Sequence, residues 1–187
     1  MSWLATIPQS LRRVDAVSAP TDLPIMDEPT FAAFHARTAR PLLAYLTRAG
    51  GNRALAEDLS QEAYLRFLRA CRSEAGEVAC RSFLFRIASN LLRDHWRRPA
   101  LASMEEIATE RAPLAPDAWG ASEAVLELAP AWARLGLRER QVLWLAYVEG
   151  YSHRELAGMV GLNAAGVRVL LFRARRKMHN ALTEKKR

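Results

Sequence analysis

The stretch GYSHRELAGMVGLNAAGVRVLLFRARRKM, residues 150–178, carries the outline of two helices meeting at a tight turn. Ser152 and Glu155 match the S-x-x-E capping box, so a helix begins at Ser152 and runs through Leu156 and Val160. Gly161 ends it, because glycine takes the left-handed conformation that closes a helix at little cost. Asn163 caps a second helix that continues to about Leu182. A short helix, a glycine turn and a longer helix ending in a basic run have the spacing of a helix-turn-helix. On the second helix Val167, Leu171, Ala174 and Met178 make the inward stripe, with Leu170 beside it. The opposite side carries Ala165, Arg168, Val169, Phe172, Arg173 and Arg176. Val169 and Phe172 are apolar where a groove-reading helix is ordinarily polar. Two roles suit them: contact with thymine methyl groups, or docking of a partner protein on an exposed apolar patch.

The rest of the chain is also helical in pattern. Upstream of the turn, LRERQVLWLAYVEG places Leu137, Val142, Leu145 and Val148 on one stripe. From Glu28 onward, Phe31, Phe34, Leu42, Leu43 and Leu46 recur at helical intervals until Gly50-Gly51, and Pro41 is expected to kink or split this helix. The next helix opens at Asn52 with Leu55, Leu59, Ala63 and Phe67 inward. A third, ended by Pro99, turns Phe83, Ile87, Leu91 and Trp96 to the core. No segment alternates with period two, so the chain is expected to be all-α. Two small helical domains are predicted, an N-terminal bundle and a C-terminal helix-turn-helix domain, joined by a flexible acidic linker.

Charge divides the chain in the same way. Residues 1–26 are net neutral, residues 27–98 net +4, residues 99–133 net −5 and residues 134–187 net +8, within a total of +7. Two basic blocks flanking an acidic spacer suit two polyanion-binding modules held by a tether that avoids polyanions. Residues 1–26, with three Pro, read as a flexible extension, and residues 99–133, with Pro113, Pro116 and Pro130, read as the linker.

Several function classes are disfavoured. Cys71 and Cys80 make neither a disulfide framework nor a zinc pattern, and no metal or cofactor is expected. Four scattered His and no clustered carboxylates argue against an enzyme such as a nuclease, and no small-molecule substrate is implied. No apolar run reaches the roughly 18 residues of a membrane span. SWLATI precedes Arg12-Arg13, the reverse of a signal peptide's order, so a cytoplasmic protein is expected.

These motifs carry a family resemblance. LRERQVLWLAYVEGYSHRELAGMVGLNAAGVRVLLFRARRKMHNAL resembles the C-terminal domain of extracytoplasmic-function sigma factors, promoter-specificity subunits of bacterial RNA polymerase. AEDLSQEAYLRFLR and FLFRIASNLLRDHWRR resemble adjoining parts of their N-terminal domain, in the right order. The resemblance implies that Asp58, Gln61, Glu62, Leu65 and Leu68 dock on a helical surface of core RNA polymerase. Asp58, Gln61, Glu62 and Leu65 share one helix face, acidic and polar with an apolar edge, which suits a basic partner and not DNA. It implies that Arg72, Arg86, Asn90, Arg93, Arg97 and Arg98 serve the minus-ten promoter element, with a base held by the loop of residues 72–80. Phe83, Phe85 and Trp96 are candidate stacking platforms there. It implies that Arg154, Ala165, Arg168, Val169, Phe172, Arg173 and Arg176 read promoter DNA at the minus-thirty-five element. Members of that family usually differ at Gly166, Val169, Leu170 and Phe172, where Thr, a small polar residue, Arg and His are common. The resemblance also implies an anti-sigma partner, often membrane-anchored. An autonomous helix-turn-helix regulator binding duplex DNA is the alternative, and the D-x-x-Q-E helix and the basic N-terminal block argue against it.

Overall fold

The structure is a computed structural model that describes residues 26–70, 76–97 and 123–185. The described residues form α1 (Glu28–Gly50), α2 (Arg53–Ala70), α3 (Glu77–Arg97), α4 (Glu123–Ala133), α5 (Leu137–Tyr147), α6 (His153–Val160) and α7 (Ala164–Lys185). No strand occurs among them. Residues 1–25 of the N-terminal extension, Cys71, Arg72, Arg98 and most of the acidic linker lie outside the described residues.

Asp27 starts α1 by accepting a bond from the Thr30 amide at 3.0 Å. Gly51, at φ 78°, closes it with its amide on the Thr47 carbonyl. The helix runs unbroken through Pro41, where a split was one expectation. The lost backbone bond is offset by the next turn, where Leu42, Tyr45 and Leu46 are fully buried. A fully buried Leu or Phe contributes about 1.5–3 kcal/mol relative to an exposed one. Helices α1, α2 and α3 form a bundle in which Phe34 stacks on Phe67 at 4.8 Å and Tyr45 tilts against Phe85 at 5.5 Å.

Helix α3 buries more than the stripe its periodicity suggests. Leu91 is buried, while Phe83, Ile87 and Trp96 are only partly so. Leu84, Phe85, Ala88, Ser89 and Leu92 lie deepest. The reason is that α3 packs on two sides, against α1 and α2 and also against α6. A helix held between two neighbours buries two stripes, and a single-face reading finds only one.

The C-terminal half is built from α4 to α7. Val142 and Leu145 are buried as expected, but Val148 is exposed, because α5 ends at Tyr147 and Val148 is its C-cap. Helix α4 continues through Pro130 and buries Trp132, whose indole N–H donates to the Arg48 carbonyl at 2.9 Å. Trp132 meets Trp144 edge-on at 6.4 Å. The buried apolar residues form one cluster running from Phe34 in α1 to Ala174 in α7.

Candidate nucleic-acid interface

The turn between α6 and α7 is fixed by local chemistry. The Ser152 hydroxyl accepts from the Glu155 amide, and the Glu155 carboxylate accepts from the Ser152 amide at 2.8 Å, a complete capping box. The Ser152 hydroxyl also donates to the Glu155 carboxylate at 2.6 Å, and this bond, more than that from the Ser152 amide, holds the Glu155 carboxyl below its ordinary value. Gly161 closes α6 at φ 66° with its amide on the Ala157 carbonyl. The Asn163 side chain then caps α7 by accepting from the Gly166 amide at 2.7 Å. Val167, Leu171 and Ala174 are buried, with Met178 partly so, which anchors α7 and fixes its rotation about its own axis.

That anchoring turns Ala165, Arg168, Val169, Phe172, Arg173 and Arg176 outward, and Arg154 is exposed on α6. Val169 is 49% exposed and Phe172 58%. Leu170 is packed against the core, so the apolar anomaly of this helix narrows to two side chains. Arg173 and Arg176 also line an open groove of about 380 Å³ with Glu139, Lys177 and Asn180. Lys177 pairs with Glu139 at 2.8 Å there, which leaves the two arginines as its outward charge.

On α3, Arg86, Asn90, Arg93 and Arg97 fall at i, i+4, i+7 and i+11 and share one side. Arg86 is exposed, with its guanidinium 5.1 Å from the centre of the Phe83 ring. Arg97 is exposed and pairs with Asp94 at 3.3 Å. Arg93 differs. It binds the Asn90 side chain and donates to the Val160 carbonyl at 2.7 Å, at the end of α6. Burial, with Arg138 nearby, lowers its pKa from the ordinary arginine value. Of the three aromatic residues considered for stacking, Phe85 is fully buried and has no face for a base, while Phe83 and Trp96 are partly exposed.

On α2, Ala56, Ala63, Tyr64 and Phe67 face the bundle. Asp58 and Gln61 are exposed, Glu62 and Leu68 are half-exposed and Leu65 is 49% exposed. Glu62 pairs with Arg66 at 2.6 Å, a solvent-facing i,i+4 pair. The structure thus leaves an acidic, partly apolar face open on α2. Sequence reasoning found no role for Arg81, Gln141, Trp144 or Glu149, which meet across the two halves of the chain. Arg81 and Glu149 stand 68 residues apart, and no local pattern links them.

A capped helix-turn-helix with an arginine-flanked outer face, joined to a second bundle with its own arginine row, has the makeup of a DNA-binding protein. Residues 34–100 match the family Sigma-70 region 2, and residues 131–178 match Sigma-70, region 4. The RNA polymerase sigma factor CarQ of Myxococcus xanthus is 31% identical over 163 residues, which span 84% of this chain and 91% of CarQ. The ECF RNA polymerase sigma factor SigL of Mycobacterium tuberculosis is 30% identical over 158 residues, spanning 81% of this chain and 88% of SigL. Among solved structures, the sigma factor RpoE in complex with the anti-sigma factor NepR, from Bartonella quintana, has the same fold. It matches with a TM-score of 0.67 at 17% identity, over 82% of this chain and 96% of that one. The chain belongs to the extracytoplasmic-function sigma factors. It binds core RNA polymerase and directs promoter-specific transcription initiation. No single helix among the described residues is long and apolar enough to cross a membrane.

Proposed function

We propose that three surfaces divide the work of initiation in this chain. Helix α2 presents Asp58, Gln61, Glu62, Leu65 and Leu68 to core polymerase. Helix α3 serves the minus-ten element with Arg86, Asn90, Arg93 and Arg97, joined by Arg72 and Arg98. Helix α7 reads the minus-thirty-five element through Ala165, Arg168, Val169, Phe172, Arg173 and Arg176, with Arg154 on α6 at the flanking phosphates. Residues 27–98 and 134–187 are the two working domains in this reading, and residues 99–133 are the linker, whose last helix, α4, packs on α7. The chain acts by binding and carries no catalytic step of its own. It works in the cytoplasm, where its polymerase and promoters are, under an anti-sigma factor, either soluble or membrane-anchored. Support for that last partner is the likeness in fold to RpoE, which was solved with NepR.

The observation that carries this reading is the outer face of α7. Val169 and Phe172 stand exposed between Arg168, Arg173 and Arg176. Exposed apolar side chains alone suit many partners. Set among arginines on a capped recognition helix, they suit a major groove in which thymine offers a methyl group and guanine offers two acceptors. The test is run-off transcription with core polymerase and the Arg168→Ala and Arg173→Ala variants. A lost bidentate base contact removes about 1–3 kcal/mol of discrimination, so promoter selectivity should fall about 5- to 150-fold. Unchanged selectivity in both variants contradicts the assignment.

A further inference from the structure

Helix α7 carries five cations in ten residues, Arg168, Arg173, Arg175, Arg176 and Lys177, all exposed. Among the described residues, Lys177 is the only one of the five in an ion pair. Its partner, Glu139 of α5, is not an ordinary surface residue. The Glu139 side chain is 10% exposed, and its two carboxylate oxygens stand 2.8 and 2.9 Å from the Lys177 ammonium. It also accepts from the Gly136 amide at 2.9 Å, which fixes it at the start of α5. Arg134 with Glu184 makes the contrast, since both of those side chains face solvent and such a pair parts at little cost. A carboxylate as covered as that of Glu139 keeps a cation beside it, because losing the partner would leave a desolvated charge alone. Lys177 stands four residues after Arg173 and three before Asn180, so it flanks the outer face of α7. Arg173, Arg176, Lys177 and Asn180 all line one groove with Glu139.

We propose that Glu139 is a specificity-determining residue: it holds Lys177 back from the DNA backbone and so restrains the sequence-independent grip of α7. The proposal rests on the reading of α7 as the minus-thirty-five helix. Each cation that reaches a phosphate releases counterions and tightens binding to any sequence, whereas discrimination comes from base edges. A lysine on the flank of the helix offers the first effect and little of the second, because its ammonium is a compact point charge on a flexible stem. On a promoter, base contacts fix where α7 sits, and a freed Lys177 takes only the phosphate that this position allows. On other sequences nothing fixes the helix, and it can shift to seat the lysine. Releasing Lys177 therefore favours the wrong sequences, which outnumber promoters in a genome by orders of magnitude. Paired with Glu139, Lys177 ties α7 to α5 and adds nothing to that competition.

The experiment uses the full chain and reads fluorescence anisotropy on two labelled duplexes. One carries the minus-thirty-five element and the other has that element shuffled, and salt is varied between about 50 and 200 mM. Glu139→Gln removes the charge and keeps an acceptor for the Gly136 amide, as Gln serves at this position of a capping box. On the shuffled duplex it should steepen the fall of log affinity with log salt by about 0.9, the mark of one added phosphate contact. Affinity there should rise about fifteenfold at about 50 mM salt and about fourfold at about 200 mM, for a gain that vanishes near about 1 M. The gain on the minus-thirty-five duplex should be smaller, so the preference for that duplex falls. Glu139→Gln combined with Lys177→Gln should return slope and preference to those of the native chain. An unchanged or shallower slope in Glu139→Gln overturns the proposal, as does an equal gain on both duplexes or a double variant as steep as the single one. If Glu139→Gln loses its helical circular dichroism, amine labelling of the native chain read by mass spectrometry carries the test. Lys177 should label equally with and without the shuffled duplex, and protection by the duplex overturns the proposal. A native chain that binds both duplexes equally sinks the reading of α7 instead, and the slope on the shuffled duplex still decides whether Glu139 withholds Lys177.

Discussion

Tyr45 is fully buried between α1 and α3, with its hydroxyl 2.7 Å from that of Ser89. Burial pushes that hydroxyl far above its ordinary value of 10, against smaller opposing effects of Ser89 and Gln141. The folded chain therefore holds this proton more tightly than the unfolded chain. The resulting stability is fully present below pH 10 and is lost as pH rises beyond it. Burial acts on Tyr64 and Tyr151 in the same direction. Melting followed by circular dichroism should drop between pH 9 and pH 11, and less steeply in Tyr45→Phe. That variant should also lose about 1 kcal/mol at neutral pH with its hydrogen bond. An equal slope in both proteins would show that Tyr45 is not a source of the alkaline loss. At the start of α6, Ser152→Ala should cost about 1 kcal/mol, measured by urea unfolding. Glu155, held low by Ser152, supports that cap above its ordinary value of 4.5, and the support fades as pH falls below it. Such caps were legible in the sequence because they act over three residues. The Tyr45–Ser89 contact spans 44 residues and left no local sign.

At the scale of elements, α6 and α7 were the most legible, since capping residues, a glycine turn and one buried stripe all agree there. Helix α3 was the least, because α6 covers a side that the pattern leaves open to solvent. Phe85 shows the consequence: an aromatic residue considered for base stacking is instead a core residue packed on Tyr151. Two predictions belong to single helices. Charge reversal on α2, by Asp58→Lys with Glu62→Lys, should weaken binding to labelled core polymerase at least about tenfold. Both side chains face solvent, so stability should change by no more than about 0.5 kcal/mol per site. Equal affinity would remove α2 from the docking surface. For α7, replacing thymine by uracil in the minus-thirty-five element deletes only the methyl groups. Affinity for the native protein should fall severalfold, and Val169→Ser with Phe172→Ala should abolish the difference. If uracil makes no difference to the native protein, these two side chains do not read methyls. A protein partner for that face then becomes the better reading.

For the whole molecule, the order of parts was readable before their arrangement. Charge blocks of +4, −5 and +8 separated two basic modules from an acidic spacer. Nothing in those blocks foretold that α3 would pack on α6 or α1 on α5. Helix periodicity reports that a face is buried and does not name its partner. Trp132 illustrates the limit. It lies in the last helix of the acidic segment, yet its indole is bound to the Arg48 carbonyl, 84 residues earlier. The central claim is that one chain, with polymerase, selects start sites through two separated DNA faces. Its most direct measurement is transcription by purified core polymerase on a genomic fragment library, with and without this protein, and with start sites mapped. New start sites should appear only with the protein and share sequence elements near minus ten and minus thirty-five. Start sites unchanged by the protein, or new ones lacking a shared upstream pair, would contradict it.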